Sequence, residues 1–166
     1  MLDHYSLSPS APSAYVLKLE TVNMDKLDLP KDIGASMLSL AAEGRAAWRR
    51  GDFEAAEKAF LGAWSTIPEP RLDYDYASSL SRGLVEFFRD TRQFDKARTW
   101  LETARKVYGA ENPEMLWQGG ILAFEAGQLD EAFGYFKKLF DAFGERPFKG
   151  YDRKYLTFYK ERARKR

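Results

Sequence analysis

From Pro30 onward, apolar residues recur at helical spacing, and one motif comes round three times. The first copy is Gly51-Asp52-Phe53-Glu54-Ala55-Ala56-Glu57-Lys58-Ala59-Phe60; the second runs from Arg92 to Leu101 and the third from Gly127 to Phe136. Each reads as a turn residue, a polar residue, a bulky apolar residue, two polar or small residues, an alanine, and a second bulky apolar residue four places later. Phe53 and Phe94 stand 41 positions apart, whereas Phe94 and Leu129 stand 35 apart. The longer first interval holds an insertion, visible as Ile67 to Tyr76, in which Pro68 and Pro70 must stop the preceding helix. A helix hairpin with one apolar stripe cannot bury that stripe alone, so a repeated hairpin predicts a stack of helix pairs.

The ends of the chain depart from this pattern. After Pro147, residues Tyr151, Tyr155, Phe158 and Tyr159 fall at i, i+4, i+7 and i+8, one apolar face of a closing helix expected over about 151–163. The run Lys160 to Arg166 holds five basic residues in seven. Favourable charge at a helix C-terminus and solubility are sufficient reasons for it, since no aromatic platform accompanies it. At the other end, Ser6, Ser8, Pro9, Ser10, Pro12 and Ser13 interrupt any stripe, so residues 1–26 are expected to be a disordered extension. Within it, Tyr15 to Leu19 has no evident strand partner, and Met24, just ahead of the patterned sequence, is read as a candidate natural start.

Composition narrows the function. Lys and Arg number 26 against 25 Asp and Glu, so no overall charge draws the chain to nucleic acid or to an anionic membrane. There is no cysteine, and the one histidine is His4, which removes the usual nucleophile dyads and most transition-metal sites. Asp73-Tyr74-Asp75 lacks the glycine and distal glutamate of a calcium loop, and Gly119-Gly120 lies inside a helical pattern, where close packing explains it better than phosphate binding. Neither a secretory signal nor a membrane span is visible, so the cytoplasm is the expected location. No enzyme, cofactor or metal is expected.

The same motif residues resemble the tetratricopeptide repeat (TPR) family over roughly residues 37 to 145. The turn glycine is present as Gly51 and Gly127, with Arg92 in the middle copy; the small residue of the second helix is Ala56, Ala97 and Ala132; the next core position is Phe60, Leu101 and Phe136. The small residue of the first helix is Gly44 and Gly120, but Val85 in the middle repeat, which predicts looser packing of that pair. The resemblance implies an all-α fold, a right-handed TPR solenoid of three helix pairs with a C-terminal capping helix. Residues 27–166 would form one domain, with repeats at about 37–70, 77–110 and 113–146.

In such arrays the first helix of each pair lines the inner surface. That placement implies inward-facing Arg45, Trp48 and Arg49 in repeat one, Arg82, Glu86, Arg89 and Asp90 in repeat two, and Trp117, Ile121, Phe124 and Glu125 in repeat three. Arg45, Trp48, Arg49, Arg82, Glu86, Arg89, Trp117 and Phe124 are the candidate partner-binding residues, because Arg and Trp supply large area with directional contacts. Both tryptophans are equally readable as core between repeats. The residues with which related domains clamp the C-terminal carboxylate of chaperones are absent: Ala41, Arg45, Gly83, Glu114 and Gln118 stand in their places.

A narrower resemblance rests on Leu27-Asp28-Leu29-Pro30, Ile67-Pro68-Glu69-Pro70, Glu111-Asn112-Pro113 and the stretch Phe148 to Leu156. These look like small stand-alone bacterial TPR proteins often encoded beside secreted polymorphic toxins. The resemblance implies an immunity protein that sequesters a toxin domain. A general scaffold or adaptor and a peptide-binding regulatory sensor are the alternatives.

Overall fold

The structure, a computed structural model, describes residues 26–165. The expected disordered extension therefore lies outside the described residues except for Lys26, as do the Tyr15–Leu19 patch and Met24. Seven α-helices follow among the described residues: α1 Lys31–Arg49, α2 Phe53–Thr66, α3 Tyr76–Asp90, α4 Phe94–Tyr108, α5 Pro113–Glu125, α6 Leu129–Phe143 and α7 Arg153–Arg164. Short 3₁₀ turns at Arg71–Asp73 and Arg146–Phe148 precede α3 and α7. Helices α1/α2, α3/α4 and α5/α6 pack as hairpins, each hairpin packs on the next, and α7 closes the array. The fold is an all-α helical repeat solenoid, as the repeated motif predicts.

The three hairpin turns share one backbone solution. Gly51 and Gly127 have φ of +80° and +77°, and Arg92 adopts φ 60° at the equivalent place. A non-glycine residue is disfavoured there; the Arg92 guanidinium lies 5.1 Å from the Phe94 ring centroid, a contact that offsets part of the cost. The helices begin on side-chain caps where the connections tighten: Asp52 accepts from the Ala55 amide at 3.1 Å, Asn112 from Glu114 at 2.9 Å, and Asp152 from Lys154 at 2.9 Å.

Each hairpin crossing is filled by a complementary pair of residues. A Cβ placed on Gly44 would lie 2.7 Å from Phe60 Cδ1, and one on Gly120 would lie 2.5 Å from Phe136 Cε1. The aromatic ring of the second helix thus occupies the space a side chain on the first would need. In the middle pair the division differs, with Val85 on α3 and Leu101 on α4, which are 0 % and 4 % exposed in one continuous core. The looser packing expected from Val85 is not found. A medium residue on each helix replaces the small-plus-large pair.

The insertion before repeat two is structured. Ile67 is fully buried with Met37, Ala41, Ala63 and Leu80, and Tyr74 packs against the same cluster. Leu27 bridges to Tyr74 in parallel: its amide donates to Asp73 O at 2.8 Å, and its carbonyl accepts from the Asp75 amide at 3.2 Å. The Lys26 ammonium donates to Leu72 O. Pro30 is the N-cap of α1, which begins at Lys31.

The cap is docked by rings. Tyr159 stacks on Phe133 with centroids 5.5 Å apart, and Phe158 meets Phe124 at 5.1 Å. Tyr151 corrects the expected helix face: Asp152 is the N-cap, so Tyr151 precedes α7 instead of lying on it. In the basic C-terminal run, Lys160 pairs with Glu145 and Arg162 with Asp130, so these two charges serve cap docking. No helix among the described residues is long and apolar enough to cross a membrane.

The crossing geometry has a measurable consequence. Gly120→Val should lower unfolding free energy by about 1–3 kcal/mol through overpacking against Phe136. Combining it with Phe136→Leu, which copies the middle repeat, should cost less than the sum of the two single changes in urea denaturation. Strict additivity would contradict this account of the crossing.

Candidate functional site

The first helices of the three pairs, α1, α3 and α5, line one face of the solenoid, and two clefts open along it. The first, about 280 Å³, lies between α1 and α3. Leu38, Ala41, Arg45 and Trp48 reach it from α1, and Tyr76, Ser79, Gly83 and Glu86 reach it from α3. Both sets are spaced i, i+3, i+7 and i+10, the signature of one helix face on each side. The second cleft, about 680 Å³, lies between α3, α5 and the start of α7. Glu86, Arg89, Gln118 and Glu125 line it together with Tyr151 and Lys154.

The wall between α3 and α5 is closed by a polar network centred on buried Gln118. Its carbonyl oxygen accepts from Arg89 at 3.0 Å, while its amide nitrogen donates to Glu86 at 3.1 Å and to Glu114 at 2.9 Å. Arg89 also donates to its neighbour Asp90 at 2.8 Å. A buried amide with its donors and acceptor satisfied fixes the relative position of the two helices. Among the described residues, no side-chain hydrogen bond or ion pair joins α1 to α3. There the link is apolar: the Trp48 ring meets Phe87 edge-on at 5.4 Å.

At the far end, Glu125 receives hydrogen bonds from the Tyr155 hydroxyl at 2.7 Å and is paired with Lys154 at 2.6 Å. Burial alone would push the Glu125 carboxyl up. The hydrogen bonds from Lys154 and Tyr155, with the charges of Lys154 and Arg89, outweigh burial and hold it below its ordinary value of 4.5. Burial, then the hydrogen bond to Glu125 and its charge, push the Tyr155 phenol well above its ordinary value. Nothing in this arrangement pairs an acid with a base over a reactive nucleophile.

The eight expected binding residues separate into three groups. Arg45, Trp48, Arg82 and Glu86 line the first cleft, and Glu86 and Arg89 line the second. Arg49 is exposed but lines neither cleft. Trp117 is a correction, and Phe124, partly buried, lines neither cleft. Trp117 is 3 % exposed, held against Phe136, Phe148, Tyr151 and Tyr155, and Phe124 is roofed by Tyr155 and Phe158 of α7. The capping helix lies over the end of the face that the third repeat would otherwise present. Of the two readings open for the tryptophans, core is the one for Trp117, whereas Trp48 is half-buried, packed on Phe60 and Phe87 with part of the ring in the cleft.

Other lining residues escaped sequence reasoning. Leu38, 47 % exposed, was findable from its spacing to Arg45 on the same helix. Lys154 and Tyr151 were not, because only the fold-back of the cap brings them beside α3.

The arrangement defines a class: a helical-repeat solenoid with a lined, partly open inner face. The tetratricopeptide repeat family model matches residues 88–147, the second half of repeat two through repeat three, and supports a TPR family for the chain. No curated protein matches it. TPR repeats are generally non-catalytic interaction modules, and the match suggests a protein–protein interaction module here.

The Glu125 cluster predicts an acid limb. Its folded pKa is depressed, so the unfolded chain takes up the proton first as pH falls. The stabilisation is complete above the ordinary carboxylate value and is lost as pH drops through the depressed one. The urea midpoint should therefore fall further between pH 6 and pH 3 for wild type than for Glu125→Gln, which has no carboxylate to protonate. Equal losses in the two proteins would exclude Glu125 as the cause.

Proposed function

We propose that the inner face formed by α1, α3 and α5 binds a protein partner, and that this partner is a toxin domain whose active site or substrate entry the solenoid covers. The observation that carries the binding reading is the first cleft. It leaves apolar Leu38 and two arginines, Arg45 and Arg82, at an open surface of the inner face. What supports a toxin as partner is the narrower resemblance in Leu27–Pro30, Ile67–Pro70 and Phe148–Leu156 to stand-alone bacterial proteins encoded beside secreted toxins. Neutralisation by occlusion needs no catalytic group on this chain; it needs shape, a few anchors and slow dissociation. The scaffold reading shares the same face and differs in having several partners.

Two measurements separate these ideas. Glu86 lines both clefts, so Glu86→Arg should abolish co-purification of the partner, whereas Lys58→Glu, an exposed change lining neither, should leave it intact. Co-expression with the protein encoded next door should rescue cells making it. Lack of rescue would remove the toxin reading, and equal capture by both variants would remove the inner face.

A further inference from the structure

The two clefts differ in what they leave unsatisfied. In the second, Arg89 is engaged by Asp90 and Gln118, and Glu125 by Lys154 and Tyr155. A ligand bound there would have to break existing pairs, at a desolvation cost. The first cleft is the reverse. Arg45 is exposed with no ion-pair partner among the described residues. Arg82 reaches Glu86 and Glu114 only at 4.0 Å and 3.9 Å, beyond hydrogen-bond distance. Its Nε is shut off from solvent yet has no acceptor. Beside these two cations lie Leu38, Ala41 and the edge of Trp48.

Size and charge together choose the ligand. A volume of about 280 Å³ lies just below the range of sites that enclose small molecules and suits one or two side chains. The lining offers an apolar floor and spare guanidinium donors, whose natural partner is a carboxylate held bidentately. Among the described residues Glu86 is the one carboxylate that lines the cleft, and it is already committed to Gln118. Resting on the protein-binding role proposed above, we infer that the α1–α3 cleft is its anchor point. It takes a bulky apolar side chain from a protein segment that carries an Asp or Glu within about one helical turn, the carboxylate meeting Arg82 and Arg45.

Panning the full-length protein against a random-peptide phage library tests this directly. Enriched peptides should share a large apolar residue with an acidic one close by. Synthetic copies should bind Arg82→Glu and Leu38→Asp at least tenfold more weakly, Arg82→Lys at an intermediate level, and Arg92→Glu, which lines the second cleft, as tightly as wild type. Circular dichroism melts keep the loss of binding distinct from loss of fold. Enrichment of basic or purely apolar peptides, no enrichment, or sensitivity to Arg92→Glu instead of Arg82→Glu would overturn the anchor while leaving a partner captured elsewhere on the inner face intact. The chain's own Tyr15–Glu20 stretch carries the same chemistry. If Leu17→Asp with Leu19→Asp in the full chain raises the affinity of the selected peptides tenfold, the occupant is that segment and the external partner is overturned.

Discussion

A helix hairpin has one apolar stripe and nowhere of its own to hide it, and every other feature of this protein follows from using the next hairpin as the missing wall. The constraint is tightest where the two helices of a pair cross. At Gly44 and Gly120 the second helix pushes a phenylalanine ring into space that any side chain would fill. In the middle pair Val85 and Leu101, two medium residues at the equivalent positions, are both buried in one core. Both solutions conserve the volume at the crossing, which is what close packing demands.

Stacking leaves two problems at the ends, and the protein solves them differently. At the C-terminal end, Tyr155, Phe158 and Tyr159 of α7 cover the aromatic surface of the last pair. The same helix covers Phe124, and Phe148 and Tyr155 enclose Trp117, so the cap removes apolar area from the inner face as it completes the core. At the N-terminal end, the insertion after α2 is held down by Ile67 and by the Leu27–Tyr74 bridge. Among the described residues no polar side-chain bridge ties α1 to α3, in contrast to the Gln118 network between α3 and α5. The inner face is thus pinned by polar contacts at one seam and by apolar contacts at the other, and the apolar seam carries Arg45 and the loosely paired Arg82.

That asymmetry bears on binding. A buried network whose members already satisfy one another gives a partner little to gain, since each new contact replaces an old one. An apolar cleft flanked by cations without close acceptors can gain both area and charge pairing on contact. Side chains of the first kind tie α3 to α5; those of the second still have donors to offer.

Period and residue type in the chain were enough to determine the helix pairs, their turns at Gly51, Arg92 and Gly127, the enlarged connection and the existence of a closing helix. These are local properties: a stripe, a breaker or a cap acts within a few residues of itself. Whether a particular inward-facing side chain meets solvent was decided only in three dimensions. Trp48 and Phe124 occupy the same place in their repeats, three residues before the turn glycine, yet one edges an open cleft and the other is covered by Tyr155 and Phe158. Likewise, Arg82 and Arg89 look alike in sequence, but only Arg89 finds an amide carbonyl from the neighbouring repeat. Burial and pairing depend on what a distant segment brings alongside, and no pattern along one helix contains that information.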